Sequence, residues 1–97
     1  MIPSLEEIPI AQLSDSLRSL LKDKNRRLGL LTSIDGSELV SLILNLEDRS
    51  AHVVLTPLAE DAYPSLTASI PQAHWYERAL HDLFGLNPLG HPRLKPV

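Results

Sequence analysis

The sequence RLGLLTSIDGSELVSLILNLE, residues 27–47, contains the pattern that decides the fold. Its first part, residues 27–34, predicts a strand. Asp35 and Gly36 follow, and this dipeptide is favoured in tight hairpins because both central residues take positive φ. A second strand comes next, and four of its apolar residues share one face: Val40, Leu42, Leu44 and Leu46. We therefore expect an antiparallel hairpin at the centre of the chain.

The segments on either side of this hairpin predict the rest of an α+β fold. Upstream, apolar residues recur from Ile10 at the spacing of one helix face and predict a helix that ends near Lys24. Residues 1–9 contain two prolines and predict an irregular lead-in. Downstream, residues 51–58 predict a third strand that ends near Pro57. The expected architecture is a two-layer sandwich with a mainly antiparallel sheet of three or four strands.

A second helix is predicted after a long connection. Residues 59–71 predict a loop, with a short extended piece at 65–69. Ser69 and Gln72 have the spacing of a capping box, and Pro71 is tolerated in a first helical turn. This helix forms the other element that packs on the sheet.

The end of the chain is predicted to be irregular. Gly85 is placed to end the second helix in a left-handed conformation. Residues 86–97 contain three prolines and one glycine in twelve positions, which predicts an extended tail. The length of 97 residues fits one domain, 1–97, with a modest core.

Composition excludes several classes of function. The formal net charge of −3 argues against nonspecific nucleic-acid binding, which requires an excess of Lys and Arg. The chain has no cysteine, so it forms no disulfide and no thiolate-held iron–sulfur cluster or zinc site. No apolar run has the length of a membrane span, and no signal peptide is evident. A cytoplasmic location is expected.

The second helix has an apolar and a polar arc. Five residues are expected to pack on the sheet: Trp75, Tyr76, Ala79, Leu80 and Leu83. Five others form the opposite, polar arc: His74, Glu77, Arg78, His81 and Asp82. Glu77 and His81 have the order that favours an ion pair along a helix. Asp82 lies in the last turn, where the helix dipole disfavours an anion, and therefore requires a partner elsewhere.

A metal site is the enzymatic interpretation of the same residues. His74, Glu77 and His81, with His91 from the tail, are ligand types that suit zinc or iron. The spacing from His74 to His81 spans about 10 Å of helix rise, which is long for two ligands of one ion. No nucleophile elbow or phosphate-binding glycine motif is present.

Residues 63–92, YPSLTASIPQAHWYERALHDLFGLNPLGHP, resemble a known family signature. They are similar to the thirty-kilodalton subunit of respiratory complex I, which is the C subunit of NADH dehydrogenase. They are closer still to the equivalent domain of energy-converting membrane-bound nickel–iron hydrogenases and formate hydrogenlyase. The matching positions are Pro71, Ala73, Trp75, Glu77, Arg78, Asp82, Gly85, Gly90, His91 and Pro92. Tyr76, His81 and the pair Leu83–Phe84 favour the hydrogenase branch.

The resemblance implies a non-catalytic assembly subunit. Such a domain docks on the catalytic large subunit and also has an iron–sulfur small subunit as a partner. It carries no cofactor itself, while iron–sulfur clusters and a nickel–iron (NiFe) centre or quinone belong to the partner subunits. It lies peripheral to the membrane through those subunits. The residues expected to dock are His74, Trp75, Glu77, Arg78, His81, Asp82, Gly90, His91 and Pro92.

Several alternatives remain open at this level. The chain is expected to be either a free subunit or a separated N-terminal domain of a larger chain. Ala79 and Arg93 depart from the family pattern, which favours a stand-alone interaction module as a third hypothesis. An uncovered interface also predicts self-association of the isolated chain.

Overall fold

The computed structural model describes residues 4–91 of the protein and contains a four-stranded sheet with two helices on one face. The principal elements are β1 (Ser4–Glu7), α1 (Ile10–Leu21), β2 (Arg26–Thr32), β3 (Glu38–Asn45), β4 (Ser50–Pro57) and α2 (His74–Phe84). Strands β2, β3 and β4 form an antiparallel meander, and β1 joins it in parallel at the edge, giving the order β1–β4–β3–β2. The α+β two-layer prediction is confirmed.

The first strand lies where the sequence predicts an irregular lead-in. Strand β1 pairs in parallel with β4. His52 of β4 fixes it from the side: Ser4 Oγ lies 2.5 Å from its Nδ1, and Glu6 Oε1 lies 3.0 Å from its Nε2. All four residues of β1 are exposed, so no alternation of apolar residues marks the strand in the sequence.

The connection between β2 and β3 is longer than predicted. The two strands are separated by residues 33–37 rather than by a two-residue turn. Gly36 takes a positive φ of 89°, whereas Asp35 does not. The Glu38 carboxylate organises this loop, because Ser33 Oγ donates to it at 2.8 Å and the Ile34 backbone nitrogen at 2.6 Å.

The core lies between the helices and one face of the sheet. Leu13 and Leu17 of α1 are fully buried in one cluster with Leu39, Ile43 and Val54. The alternating residues Val40, Leu42 and Leu44 do share one face, as predicted, but it is the face away from the helices. Leu46 follows the last residue of β3 and is exposed.

The chain around α2 is more ordered than the sequence indicated. Strands β5 (Ala62–Pro64) and β6 (Asn87–Leu89) form a small parallel sheet. The prediction of an irregular tail is therefore wrong for residues 87–89, and the extended piece lies before the predicted 65–69. Leu86 is fully buried, which ties the segment after α2 to the core. Residues beyond 91, including the rest of the predicted tail, lie outside the described part of the chain.

The two ends of α2 match the sequence in part. A 3₁₀ turn, Pro71–Ala73, leads into the helix, and Gly85 ends it with a φ of 70°, as predicted. The capping box is absent, because no side chain caps either element. Gln72 instead accepts a hydrogen bond from the Leu28 nitrogen at 3.3 Å and covers the outer edge of β2. Neither the length nor the hydrophobicity of any helix within residues 4–91 meets the requirement for a membrane span.

Candidate functional site

Helix α2 is rotated by roughly 100° from the orientation that its hydrophobic pattern predicts, which is the turn of one residue. The residues at the centre of its buried face are Ala73, Glu77 and Leu80. Trp75 and Leu83, which were expected to pack on the sheet, are 72% and 75% exposed. The side of α2 that faces solvent therefore carries two large apolar residues, whereas Leu80 and, in part, Tyr76 pack inward as expected.

Glu77 is the charged residue at the centre of the buried face, with 0% of its surface exposed. Its Oε1 lies 2.6 Å from Ser65 Oγ and 2.6 Å from Thr67 Oγ1. The Thr67 backbone nitrogen lies 3.1 Å from Oε1, and the Leu66 nitrogen lies 3.1 Å from Oε2. Four donors of the 65–67 loop thus point at one carboxylate.

These hydrogen bonds explain why an acidic residue is buried here. The backbone N–H groups of Leu66 and Thr67 have no strand or helix partner, and a buried donor without an acceptor costs about 1–3 kcal/mol. The carboxylate satisfies both groups and fastens α2 to the loop that precedes it. The predicted ion pair between Glu77 and His81 is wrong, because Glu77 points inward. The expectation that Glu77 contacts a partner stays a prediction, and in the isolated chain its side chain is fully buried.

Tyr63 lies beside this buried carboxylate. Its side chain is 1% exposed, and its hydroxyl lies near enough to the Glu77 carboxylate to interact with it, although it forms no hydrogen bond of ordinary geometry among the described residues. Burial in the core, and then the negative charge of Glu77, raise the pKa of Tyr63 above its ordinary value of 10.0. The folded protein therefore holds the neutral phenol more strongly than the unfolded chain does.

The raised pKa of Tyr63 predicts a loss of stability at high pH. Because the folded state keeps the proton, this stability is fully present below pH 10 and falls as the pH rises above 10, by up to about 1.4 kcal/mol per pH unit. Urea unfolding of the parent and of Tyr63→Phe between pH 8 and pH 11 measures the effect. We expect the variant to lose less stability over this range. Parallel curves for the two proteins would contradict the assignment.

The outer face of α2 consists of five exposed residues: Trp75, Arg78, Ala79, Asp82 and Leu83. The Arg78 guanidinium carbon lies 6.0 Å from the centre of the Trp75 ring, within the range of a cation–π contact. Within residues 4–91, Asp82 forms no hydrogen bond and no ion pair, not even with Arg78 one turn away. An unpaired anion and two large apolar side chains therefore share one exposed surface.

The remaining predicted docking residues lie at the edge of the outer face or beneath it. His81 is exposed, and its Nδ1 lies 3.0 Å from the Leu86 carbonyl oxygen. The rings of His74 and His91 are 4.8 Å apart, and His91 is only 5% exposed, so it mainly contacts its own chain. Gly90 is exposed and takes a φ of 82°. Pro92 lies outside the described residues.

The histidines and Glu77 do not converge on a metal site. Glu77 points into the 65–67 loop, and His81 points toward the Leu86 carbonyl group. His74 and His91 alone face each other. In the described part of the chain, no three His, Asp or Glu residues are placed to hold one metal ion. The four-ligand alternative from the sequence is therefore not formed.

Comparison with known proteins gives a family match over most of the chain. A family model described as respiratory-chain NADH dehydrogenase, 30 Kd subunit, matches residues 7–97. The C/D subunit of NADH-quinone oxidoreductase from Aeromonas salmonicida is 50% identical over 53 residues, or 52% of this chain and 9% of that protein. The C/D subunit from Shigella flexneri is 36% identical over 67 residues, or 69% of this chain and 10% of that protein. The chain spans about a tenth of the length of these relatives.

A solved structure has the same fold. It is Nqo5, in its trypsin-resistant fragment (1-134), which aligns with a TM-score of 0.76 and 21% sequence identity. The alignment covers 91% of this chain and 80% of that one.

Proposed function

Since the chain belongs to the respiratory-chain NADH dehydrogenase 30 kDa subunit family, we propose that it is a non-catalytic docking domain of a complex-I-like oxidoreductase. It binds the catalytic large chain and leaves the redox chemistry to its partners. Iron–sulfur clusters and the quinone site lie in those partners, and this chain carries no cofactor. The domain is held peripheral to the membrane by them.

The observation that supports this proposal is the composition of the outer face of α2. A monomeric domain gains nothing by exposing a tryptophan and a leucine two turns apart on one helix face, whereas protein interfaces are enriched in Trp and Arg. Trp75 and Leu83 supply the apolar centre of the surface. Arg78 and Asp82 supply charges that form charge-assisted hydrogen bonds with a partner when water is excluded.

The docking residues proposed here differ from the set expected from the sequence. Trp75, Arg78 and Asp82 remain, and Leu83 joins them because it is exposed. His74, His81 and Gly90 form the rim of the surface. Glu77 and His91 are not proposed as contacts: Glu77 holds the helix from inside, and His91 packs against His74.

The hydrogenase version of this proposal has a separate basis. Tyr76, His81 and the pair Leu83–Phe84 resemble the domain of membrane-bound hydrogenases. The relatives described above are NADH-quinone oxidoreductase subunits, which favours the NADH dehydrogenase version. The two versions differ in the large chain that is bound, so an experiment separates them.

Capture of a large chain tests the proposal. The full chain is co-expressed with the large subunit of an NADH-quinone oxidoreductase or, in parallel, with that of a nickel–iron hydrogenase. We expect stable binding to the first, weakened about tenfold or more by the double change Arg78→Ala and Asp82→Ala, because a buried hydrogen-bonded charge leaves its partner group unpaired when it is removed.

A matched control is available on the other helix. Asp15 and Arg18 of α1 are an exposed acid–base pair 3.9 Å apart, and their double replacement by alanine is expected to leave capture unchanged. Undiminished capture by the Arg78/Asp82 variant would show that the outer face of α2 is not the interface. Binding of neither large chain would instead favour the stand-alone interaction module.

A further inference from the structure

The four-stranded sheet has one face that no described helix covers. Helices α1 and α2 pack on the side of Leu39, Ile43 and Val54. Because successive side chains of a strand point to opposite faces, the residues between these positions lie on the other side. We call this side the open sheet face.

The open sheet face is almost entirely aliphatic. One row crosses all four strands, because Leu5 pairs with Val53, Val53 with Leu42, and Leu42 with Leu30. Leu5 is 72% exposed and Leu30 is 41% exposed, while the members from β3 and β4 are partly exposed. The aliphatic residues of this face are Leu5, Leu30, Val40, Leu42, Leu44, Ala51, Val53 and Leu55, and Thr32 is a polar residue beside them.

Charged residues occur only around the perimeter of this face. Glu7 pairs with Leu55 on β4, at one end of the strands. Arg27 pairs with Leu44 on β3, at the other end. Since β1 and β2 are the two edges of the sheet, Glu7 and Arg27 occupy diagonally opposite corners. Glu38, at the start of β3, turns its carboxylate to the 33–37 loop.

This arrangement of charges makes the face complementary to itself. In a two-fold dimer every contact occurs twice. If a first residue of one copy contacts a second residue of the other copy, then the second residue of the first copy contacts the first residue of the other. Consider a two-fold axis that lies in the plane of the face and joins the two corners not occupied by Arg27 and Glu7. This axis places Arg27 of each copy over Glu7 of the other. The strands of the two copies then cross at about 90°, which is one of the two preferred angles between packed sheets.

The size of the face is consistent with a weak dimer. Four strands about 4.8 Å apart and about five residues long cover a plane of roughly 300 Å² before the relief of the side chains is counted. Two such planes amount to roughly 600 Å², and the relief of the side chains raises the buried area toward the lower limit for specific association, about 1,000 Å². A dissociation constant of about 1–100 µM is therefore expected.

We infer that a second copy of this chain covers the open sheet face. Burial of the aliphatic row drives the pairing, and the two Arg27–Glu7 pairs fix its orientation. The inference does not depend on the proposed docking function, because the outer face of α2 lies on the opposite side of the molecule and stays free in such a dimer.

Sedimentation equilibrium of the full chain over a range of concentrations tests this inference. We expect a monomer–dimer equilibrium that Leu42→Glu, at the centre of the face, abolishes. Leu83→Glu on the outer face of α2 is the control, since it should leave the dimer intact. A monomer at every concentration would mean that something other than a second copy covers the face, and it would overturn the inference. A dimer that survives Leu42→Glu would do the same.

Charge exchange provides a second test that leaves the interior untouched. Arg27→Glu and Glu7→Arg each place like charges together, so each should weaken the dimer about tenfold or more. The double variant restores opposite charges and should recover most of the affinity. Both residues are exposed, and Arg27 donates only to the surface carbonyl groups of Lys24 at 2.9 Å and Arg26 at 3.1 Å, so urea unfolding of each variant checks that the fold is kept. Failure of the double variant to recover affinity would overturn the proposed orientation and, with it, the self-complementary face.

Discussion

Replacing Glu77 by alanine is expected to lower the free energy of unfolding by about 3–5 kcal/mol, because four donors lose their common acceptor inside the protein. The free energy of unfolding of a domain of this size is only about 5–15 kcal/mol, so this loss is a large fraction of the total stability. Urea unfolding followed by far-ultraviolet circular dichroism measures the difference.

Two further variants separate the lost hydrogen bonds from the lost charge. Glu77→Gln keeps an oxygen acceptor of nearly the same shape, so it should cost clearly less than alanine. Glu47→Ala removes an exposed carboxylate that accepts one side-chain bond, and it should change stability by no more than about 0.5 kcal/mol. If Glu77→Ala costs no more than Glu47→Ala, the carboxylate does not hold the 65–67 loop.

The second large effect is expected on binding rather than on stability. Trp75→Ala should weaken capture of the large chain about 30-fold or more, since a tryptophan at the centre of an interface often contributes about 2 kcal/mol or more. The same change should leave unfolding nearly unaltered, because the ring is 72% exposed in the isolated chain. Titration of the large chain with the parent and the variant measures the ratio of affinities.

The control for this prediction is an apolar side chain on another surface. Leu46 is 58% exposed, just after β3, and Leu46→Ala should not affect capture. Equal affinities for the parent and for Trp75→Ala would remove the outer face of α2 from the interface. A loss of folding in Trp75→Ala would show that the ring is a structural residue instead.

The two predictions test opposite sides of the same helix. Glu77 fastens the inner side of α2 to the 65–67 loop, and this fixes which residues the outer side presents. A partial loss of capture in Glu77→Gln, together with a matching loss of stability, would show that the position of the helix matters for docking. A loss of capture in Trp75→Ala without a loss of stability would isolate the contact itself.

The sequence by itself determined the elements that depend on neighbouring residues. The start of α1 at Ile10, the strand β4 and the left-handed end of α2 at Gly85 follow from periodicity and from glycine's freedom to take positive φ. The α+β class follows from the order of these patterns. The resemblance of residues 63–92 to the family signature is likewise a property of the sequence alone.

Only the tertiary structure decided which face of each element is buried. Glu77 lies inside because its carboxylate oxygens accept hydrogen bonds from groups 10–12 residues earlier in the chain. The hydrophobic pattern of a helix contains no information about such contacts. The residues Val40, Leu42 and Leu44 along β3 face away from the helices, although their alternation is that of a core strand. Strand β1 forms only because β4, some 48 residues later, offers it an edge. Local patterns specify helices and strands, but burial depends on long-range contacts and on the hydrogen bonds of each polar group.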